Sequence, residues 1–244
     1  MFRFAAGVRR PLAAASCAAV WCAGGLAAQT PARPYSAGLG DVLSVATAAT
    51  VLLLGDVVEP AAARCAPCDR DRVPGFDRIA IDLHSGFARG GSDVLLIGVA
   101  GGSLLAARSG VSAERARGNI AVLANAIVWT AATTKWLKLG VHRERPELYR
   151  DNAAAAARNP NTRESFPSGH ASVAFAVAAA YATLAHRQDM PHAGRNSVLL
   201  FGGAATVGAL RVVGGRHFPT DVLGGAALGT LVGWVIATVH PKAP

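Results

Sequence analysis

Charged side chains are scarce in this chain: Asp, Glu, Lys and Arg make up 16% of its 244 residues, against about 25% in a typical soluble domain. Aromatic residues are also few, at 6%, and the 24 Lys and Arg are scattered among apolar segments. Proteins that bind nucleic acid need a basic surface, often with stacking aromatic rings, so we predict no nucleic-acid partner. The formal net charge of +9 is instead typical of a chain that meets an anionic membrane or an anionic substrate.

Cysteine is nearly absent, with four residues in the whole chain. Two of them lie in the first 28 residues, and Cys65 and Cys68 form the remaining pair, in CAPCDRD. A second pair that would complete a zinc site is missing, and we predict neither a metal nor a cofactor. In an exported protein the pair is expected to form a structural disulfide; a redox-active pair is the alternative.

Runs of alternating Val, Ile, Thr and aromatic residues, which would indicate a β-sheet, are also missing. Apolar segments of helical length recur instead, separated by Gly, Pro and charged clusters. They cover roughly residues 42–55, 93–107, 119–137, 171–185, 197–210 and 222–239. This pattern predicts an all-α fold, a helical bundle of about five or six core helices.

The first 28 residues have the pattern of an export signal: a basic start, an Ala-rich apolar stretch and a small-residue cleavage point. An uncleaved membrane anchor is the alternative. Residues 29–92 are expected to add an N-terminal helix and loop region to the bundle. Residues 93–240 are expected to form its core.

Two segments, residues 119–137 and 222–239, are long and apolar enough to cross a bilayer, which takes about 17 to 20 residues. We suppose that 42–55, which lies between Asp41 and Asp56, does not cross and that the other five segments do. The Arg-containing loops 108–118 and 186–196 then fall inside, in agreement with the positive-inside rule. The loops around 138–170 and 211–221 fall outside despite their many basic residues, so their charge needs another explanation. We expect an inner-membrane protein of a bacterial-type cell envelope; a soluble periplasmic bundle is the alternative.

Three clusters of basic and His residues lie at the ends of these segments, on one predicted side: KLGVHRERP, SFPSGH and RVVGGRHFPTD. Their chemistry-bearing residues are Lys138, Arg145, Ser168, Gly169, His170, Arg211, His217 and Asp221. Lys and Arg side chains, with the backbone donors of a helix N-terminus, suit a tetrahedral oxyanion. Two imidazoles that titrate near neutral pH can supply an acid and a nucleophile. Asp221, four residues after His217, is expected to fix the tautomer of that ring.

This ordered combination resembles the type 2 phosphatidic acid phosphatase superfamily, which also contains the vanadium haloperoxidases and the class A bacterial acid phosphatases. The family signature is Lys, six residues and Arg-Pro; then Pro-Ser-Gly-His; then Ser-Arg, five residues, His, three residues and Asp. The chain matches it at all three motifs, over about residues 119 to 240, with one departure. Leu210 stands where the family has Ser, a position peripheral to the charge chemistry, so we expect the nucleophile and the phosphate cradle to remain intact.

The resemblance implies a phosphate site at the helix ends and metal-independent hydrolysis of a phosphomonoester or diphosphate. His217 would attack phosphorus, Asp221 would steady its ring, and His170 would act as acid and then base. The phosphate oxygens would be held by Lys138, Arg145, Ser168, Gly169 and Arg211. We expect a phosphatase acting on a lipid phosphate, with its site facing the periplasm. A soluble acid phosphatase of broad specificity and a vanadium haloperoxidase are the alternatives.

Other basic residues near the motifs have two interpretations. His142 and Arg143 either contact a substrate headgroup or are solvated loop residues, and Arg216 either adds charge beside the proposed nucleophile or is solvated. Four further histidines lack any partner pattern and are expected at the surface: His84, His186, His192 and His240.

Overall fold

The computed structural model describes residues 33–243, and the expected leader, residues 1–28, lies outside the described residues. Six long helices form a bundle: α1 Leu39–Asp56, α2 Gly86–Arg108, α3 Ala113–Val141, α4 Gly169–Arg187, α5 Ala193–Val213 and α6 Pro219–Val239. The connections hold two short α-helices, Gly75–Arg78 and Ala153–Ala156, and three 3₁₀ turns, Arg70–Arg72, Pro146–Tyr149 and Pro160–Arg163. Within 33–243 there is no β-strand beyond one isolated bridge. The all-α prediction is confirmed.

Local sequence explains where several of these helices begin. The hydroxyl of Ser85 accepts the backbone N–H of Ala88 in the first turn of α2, and Ser112 does the same for Arg115 in α3. Both serines therefore act as N-caps that satisfy free backbone donors. At α6 the chain uses Pro219, which is favoured in a first turn because it has no N–H to leave unbonded.

Helix α4 lies at the centre of the bundle, in contact with α2, α3, α5 and α6. Eleven of its residues are buried, and most of them are alanine. Its closest neighbour is α6, which presents Gly225, Gly229 and Gly233 at four-residue spacing. A β-carbon at Gly229 would collide with the carbonyl of Ser172. These small residues let the two backbones approach closely, as in packed membrane helices.

The helices alternate in direction, so the bundle has two distinct ends. At the upper end α1, α3 and α5 finish and α2, α4 and α6 start; the Ser85 N–H, for example, bonds the carbonyl of Val213. At the lower end the first and last of the described segments meet, where Tyr35 forms an isolated antiparallel bridge with Lys242. The lower end also carries several Arg side chains: Arg108, Arg115, Arg117, Arg187 and Arg195.

Five segments are long and apolar enough to cross a membrane: α1 Leu39–Asp56, α2 Gly86–Arg108, α3 together with the 3₁₀ turn that follows it (Ala113–Tyr149), α5 Ala193–Val213 and α6 Pro219–Val239. Large apolar side chains also lie exposed on the outer faces of the bundle, among them Leu53, Val94, Ile97, Val198, Leu199 and Leu231. Exposed apolar surface of this kind is typical of a protein in contact with lipid. Length, composition and surface together support a membrane location.

By length and composition α1 is as able to cross a membrane as the other four spans, so the supposition that residues 42–55 do not cross is wrong on that measure. The expected span 171–185 lies in α4, which is not one of the five. The acidic residues that flank α1 are partnered. Asp41 accepts the backbone N–H of Gly38 at 3.0 Å and lies 3.2 Å from His240 Nε2. Asp56 lies 3.3 Å from Lys135 Nζ. The charges at its ends therefore do not exclude α1 from the bundle.

Candidate active site

The residues of the three motifs come together at the upper end of the bundle. Each occupies a first turn, a last turn or the loop beside it: Lys138, Arg145, Ser168, Gly169, His170, Arg211, His217 and Asp221. A β-carbon at Gly169 would lie 3.8 Å from Lys138 Nζ, so the first two motifs are in direct proximity. The sequence prediction that the clusters share one side of the bundle therefore agrees with the structure.

His217 is a buried imidazole, 1% exposed, with one ring nitrogen fixed by the backbone. Its Nδ1 lies 2.8 Å from the carbonyl oxygen of Ser165. Because a carbonyl oxygen only accepts, Nδ1 carries the ring proton, and the Nε2 lone pair remains free. Burial lowers the pKa of this ring well below 6.5, and three cations, Arg145, Lys138 and Arg211, lower it further. The neutral ring, which has a nucleophilic nitrogen, is therefore favoured.

Asp221 does not make the hydrogen bond to His217 that its spacing predicts. Its nearer oxygen lies 3.7 Å from His217 Nδ1, beyond hydrogen-bond distance. The spacing argument assumed that both residues share a helix face, but α6 begins at Pro219, and His217 precedes it. The buried carboxylate instead accepts the Ser165 hydroxyl at 2.5 Å and the Phe218 backbone N–H at 2.8 Å. Asp221 thus fixes the segment whose carbonyl orients His217.

Arg143 holds the Asp221 carboxylate from another side. One guanidinium nitrogen lies 2.6 Å from Asp221 and another 2.7 Å from Asp77. The guanidinium carbon lies 4.4 Å from the centre of the Phe218 ring. Asp77 is fully buried and also accepts the hydroxyl and the backbone N–H of Thr220, at 2.6 and 3.0 Å. A guanidinium between two buried carboxylates compensates charges that would be costly to bury alone.

Sequence reasoning missed this network. The motifs predict for Arg143 either a headgroup contact or a solvated loop position, and they do not point to Asp77. The scarcity of charge was the available signal, because a carboxylate in a largely apolar chain needs a partner. Which partner it has depends on the loop between α1 and α2, and that loop has no pattern that would place it.

Lys138, Arg145 and Arg211 form a cationic cradle beside His217. The Arg145 Nε donates to the carbonyl of Asn161 at 2.9 Å, and Arg211 donates to the hydroxyl of buried Ser92 at 3.1 Å. Within residues 33–243, two buried atoms of this cluster have no hydrogen-bond partner, Ser168 Oγ and Arg211 Nε. Buried polar atoms normally have a hydrogen-bond partner. An oxyanion held by the three cations and the helix N-terminus would supply that partner to both atoms.

His170 lies at the rim of the cradle and contacts a carboxylate that the motifs do not contain. Its Nε2 lies 2.6 Å from Asp93 Oδ1, and the Arg211 guanidinium lies 3.5 Å from the same oxygen. Asp93 belongs to α2, in the part of the chain that resembles the family only in general pattern. Sequence reasoning missed it, because one Asp in an apolar helix has no spacing relation to the motifs.

Leu210 and the cysteine pair lie outside the charged cluster. The Leu210 side chain packs towards α2, where a β-carbon at Gly91 would lie 3.8 Å from its Cδ1. The position at which the family has Ser is thus occupied by a helix-packing contact. Cys65 and Cys68 form a disulfide in the upper loop between α1 and α2.

The remaining basic residues divide between paired and exposed positions. Arg216 is partly exposed and lies 3.1 Å from Glu147, so its charge is paired. His84, His186 and His192 are exposed, as expected. The surface prediction for His240 is wrong: it is 8% exposed and bonds the Ser36 carbonyl at 3.2 Å.

Among residues 33–243, no three His, Cys, Asp or Glu side chains lie together as a metal site would require.

The fold and the site define a helical bundle with an oxyanion cradle and two imidazoles at one end. The family model of the PAP2 superfamily matches residues 119–244, and the chain belongs to this superfamily. The matched region contains all three motifs. Helices α1 and α2, which carry Asp93, lie before it.

Curated relatives are similar over part of their length. A lipid A 1-phosphatase of Rhizobium johnstonii is 30% identical over 119 residues, which cover 48% of this chain and 46% of the relative. One of Rhizobium etli is 33% identical over 125 residues, 50% of each chain. One of Porphyromonas gingivalis is 44% identical over 69 residues, 28% of this chain and 15% of the relative. The chain spans at most about half the length of these relatives.

One solved structure covers more of the chain at lower similarity. It is a transmembrane PAP2 type phosphatidylglycerolphosphate phosphatase from Bacillus subtilis, 20% identical, with a TM-score of 0.39. The alignment covers 82% of this chain and 92% of that one.

Proposed function

We propose that the protein is a phosphatase that hydrolyses the phosphate ester of a membrane lipid through a phosphohistidine intermediate, with no metal in the reaction. One observation carries the proposal: the buried His217 ring has its proton fixed on Nδ1 by Ser165, and three cations act on it. A neutral, oriented imidazole beside concentrated positive charge is what attack on a phosphate requires.

In the first step the Nε2 lone pair of His217 attacks phosphorus. The N–P bond forms while the P–O bond to the leaving group breaks, and His170 gives a proton to the departing oxygen. The ring of His217 becomes positively charged. Its Nδ1–H keeps the proton and donates a hydrogen bond to the Ser165 carbonyl throughout. The negative charge on the other phosphate oxygens is neutralised by Lys138, Arg145 and Arg211.

In the second step water attacks the phosphohistidine. His170, now neutral, takes a proton from the water, and the N–P bond breaks so that its electron pair returns to His217 Nε2. Inorganic phosphate leaves, and both imidazoles recover their starting states. The three side-chain cations supply the charge that a metal ion would supply in a metal-dependent phosphatase, which is why we propose a metal-independent reaction.

A groove beside the cradle supports a lipid substrate. It has a volume of about 280 Å³ and lies between α1, α2, α3 and α4, lined on its apolar side by Leu52, Leu96, Ala131 and Val173. Lys138 and His170 line the same groove. An amphiphile could therefore place an apolar chain against the helices while its phosphate reaches the cradle.

The printed activity of the relatives suggests which lipid to test first. Lipid A 1-phosphate is a lipid-linked phosphomonoester, and we propose it, or a lipid phosphate of the same kind, as the substrate. The cradle residues would hold only the phosphate group, which all such lipids share. Phosphatidic acid, phosphatidylglycerol phosphate and undecaprenyl diphosphate belong in the same panel.

The test is phosphate release from this panel in detergent, with EDTA present, by the wild-type protein and by His217→Ala. His186→Ala is the matched control, because His186 is an exposed histidine near the lower end. We expect activity that persists in EDTA and falls by about 1,000-fold or more in His217→Ala only. A labelled phosphate should be trapped on the wild-type protein after rapid quenching. Activity that EDTA abolishes, or that His217→Ala retains, would refute the mechanism.

A further inference from the structure

Asp93 lies between His170 and Arg211 and contacts both. Its carboxylate contacts the ring of His170 on α4 at 2.6 Å and the guanidinium of Arg211 on α5 at 3.5 Å. The preceding residue, Ser92, is buried and accepts a hydrogen bond from Arg211. Two consecutive residues of α2 therefore touch the site, although α2 lies outside the region that the family model matches.

We propose that Asp93 is a positioning residue for His170, holding its Nε2–H so that Nδ1 is the nitrogen that gives and takes the catalytic proton. The inference rests on the proposed function. A carboxylate accepts hydrogen bonds and donates none when ionised, so in the neutral ring the proton facing Asp93 lies on Nε2. The other nitrogen, Nδ1, then gains or loses the proton that moves.

The charges around His170 explain why such a partner is needed. Burial disfavours the charged form of His170, and the cations Arg211 on α5 and Lys138 on α3 disfavour it further. Lys135 of α3 lines the same groove. Lys135 is paired with Glu164 at 3.0 Å, whereas the other two direct their charge into the cradle. Positive neighbours disfavour the imidazolium form that a general acid must have. Asp93 opposes them through a short, charge-assisted hydrogen bond.

The proton balance of the reaction follows. Before attack, His170 is an imidazolium with one proton held by Asp93 and one on Nδ1. The Nδ1 proton moves to the leaving oxygen as the P–O bond breaks. In the second step a water proton returns to Nδ1, and the Nε2–H stays with Asp93 throughout. Asp93 thus neither bonds phosphorus nor gains a proton.

The first test compares two substrates whose leaving groups differ in their need for a proton. Octyl phosphate leaves as an alkoxide that must be protonated, whereas p-nitrophenyl phosphate leaves as a stable phenolate. We expect Asp93→Asn to lower kcat/KM for octyl phosphate by about 100-fold, and for p-nitrophenyl phosphate by less than about 10-fold. Asp93→Glu, which keeps the charge, should recover part of the loss. Asp82→Asn is the control, because Asp82 is an exposed carboxylate of the upper loops that pairs with Arg70.

The second test needs no hydrolysis and so separates this inference from the proposed function. Diethyl pyrocarbonate modifies neutral imidazole, and the side chain of His170 is 29% exposed. Labelling of His170, followed by mass spectrometry against pH, gives the midpoint of its titration. We expect Asp93→Asn to move that midpoint about one unit lower. An unchanged midpoint in Asp93→Asn or, in an active enzyme, equal losses for both substrates would overturn the role of Asp93. An inactive wild-type enzyme whose His170 midpoint moves as expected would overturn the phosphatase proposal alone.

Discussion

The Nδ1 atom of His217 donates to the backbone carbonyl of Ser165 at 2.8 Å. The group that orients the proposed nucleophile is therefore part of the main chain, and no side-chain substitution removes it. A carboxylate in a catalytic triad bonds the imidazole directly. Here the carboxylate of Asp221 acts one step away, through the Ser165 hydroxyl and the first turn of α6.

This arrangement predicts a mild effect for Asp221→Asn. An amide oxygen can still accept the Ser165 hydroxyl or the Phe218 N–H, so the His217 ring should keep its tautomer. We expect kcat to fall by about 10-fold, against about 1,000-fold or more for His217→Ala. Ser165→Ala, which removes the hydroxyl but keeps the carbonyl, should have a similarly mild effect. A loss in Asp221→Asn as large as that in His217→Ala would indicate a direct triad instead.

The pairing of Arg143 with Asp77 predicts a strong coupling in stability. Arg143→Met leaves two buried carboxylates without their cation, which costs about 3–5 kcal/mol, whereas after Asp77→Asn the guanidinium still pairs with Asp221. Removing both leaves only Asp221 without its cation, so the double substitution Arg143→Met and Asp77→Asn should cost less than the sum of the singles. Chemical denaturation in detergent measures this cycle, with Arg70→Met and Asp82→Asn as the exposed control pair. Strictly additive costs would show that the two residues do not act together.

The motifs predicted much of this site because they lie at helix ends, where spacing along the chain becomes position in the bundle. Lys138 and Arg211 each occupy the last turn of a long helix, and Ser168 is at the N-cap position of another. Apolar periodicity places such ends once the helices are recognised. The same reasoning did not place the Asp221 carboxylate, because His217 lies before the first turn of α6 and four-residue spacing gives a shared face only within a helix.

Partners contributed by other segments could not be predicted in this way. Asp77 meets Thr220 across 143 positions of the sequence, through a loop without periodicity. Asp93 reaches His170 only because α2 packs beside α4 and α5. Such contacts depend on how helices pack against one another, and a single sequence contains no direct record of helix packing.

The environment of His217 predicts the acidic side of the pH profile. Burial and nearby cations lower the pKa of His217 well below 6.5, so the free enzyme keeps its nucleophile neutral as the pH falls through that value. The acidic limb of kcat/KM, which reports the free enzyme, should therefore lie below pH 6.5. Arg145→Gln removes one of the cations and should move this limb upward by about one unit. A limb that stays in place would show that Arg145 does not act on His217.

The same shift has a consequence for folding. The unfolded chain binds a proton at His217 below a pH of about 6.5, whereas the folded chain does not until the pH is much lower. The free energy of unfolding should therefore fall as the pH decreases from about 6.5. His217→Gln, which does not titrate, should reduce that dependence. Thermal unfolding in detergent at a series of pH values would measure it.

The two ends of the bundle differ in a way that predicts its orientation in the membrane. The lower end of the bundle carries the Arg side chains of its loops, and the upper end carries the Cys65–Cys68 disulfide. Basic residues also lie at the upper end, where several belong to the cradle or to ion pairs, so the orientation rests on the disulfide, because disulfides persist in oxidising compartments such as the periplasm. We therefore expect the proposed site to face the periplasm.

Single cysteines can test this orientation. Ser109→Cys marks the lower end and Asp151→Cys the upper end, and both positions are exposed. With the outer membrane permeabilised, an impermeant thiol reagent should label position 151, and position 109 should react only after the inner membrane is broken. Because α1 begins at the lower end, this orientation also places residue 38 inside. This orientation agrees with the alternative of an uncleaved anchor in residues 1–28 and not with cleavage of an export signal there, so an N-terminal tag should remain on the chain. Labelling of position 109 in intact spheroplasts would reverse the assignment.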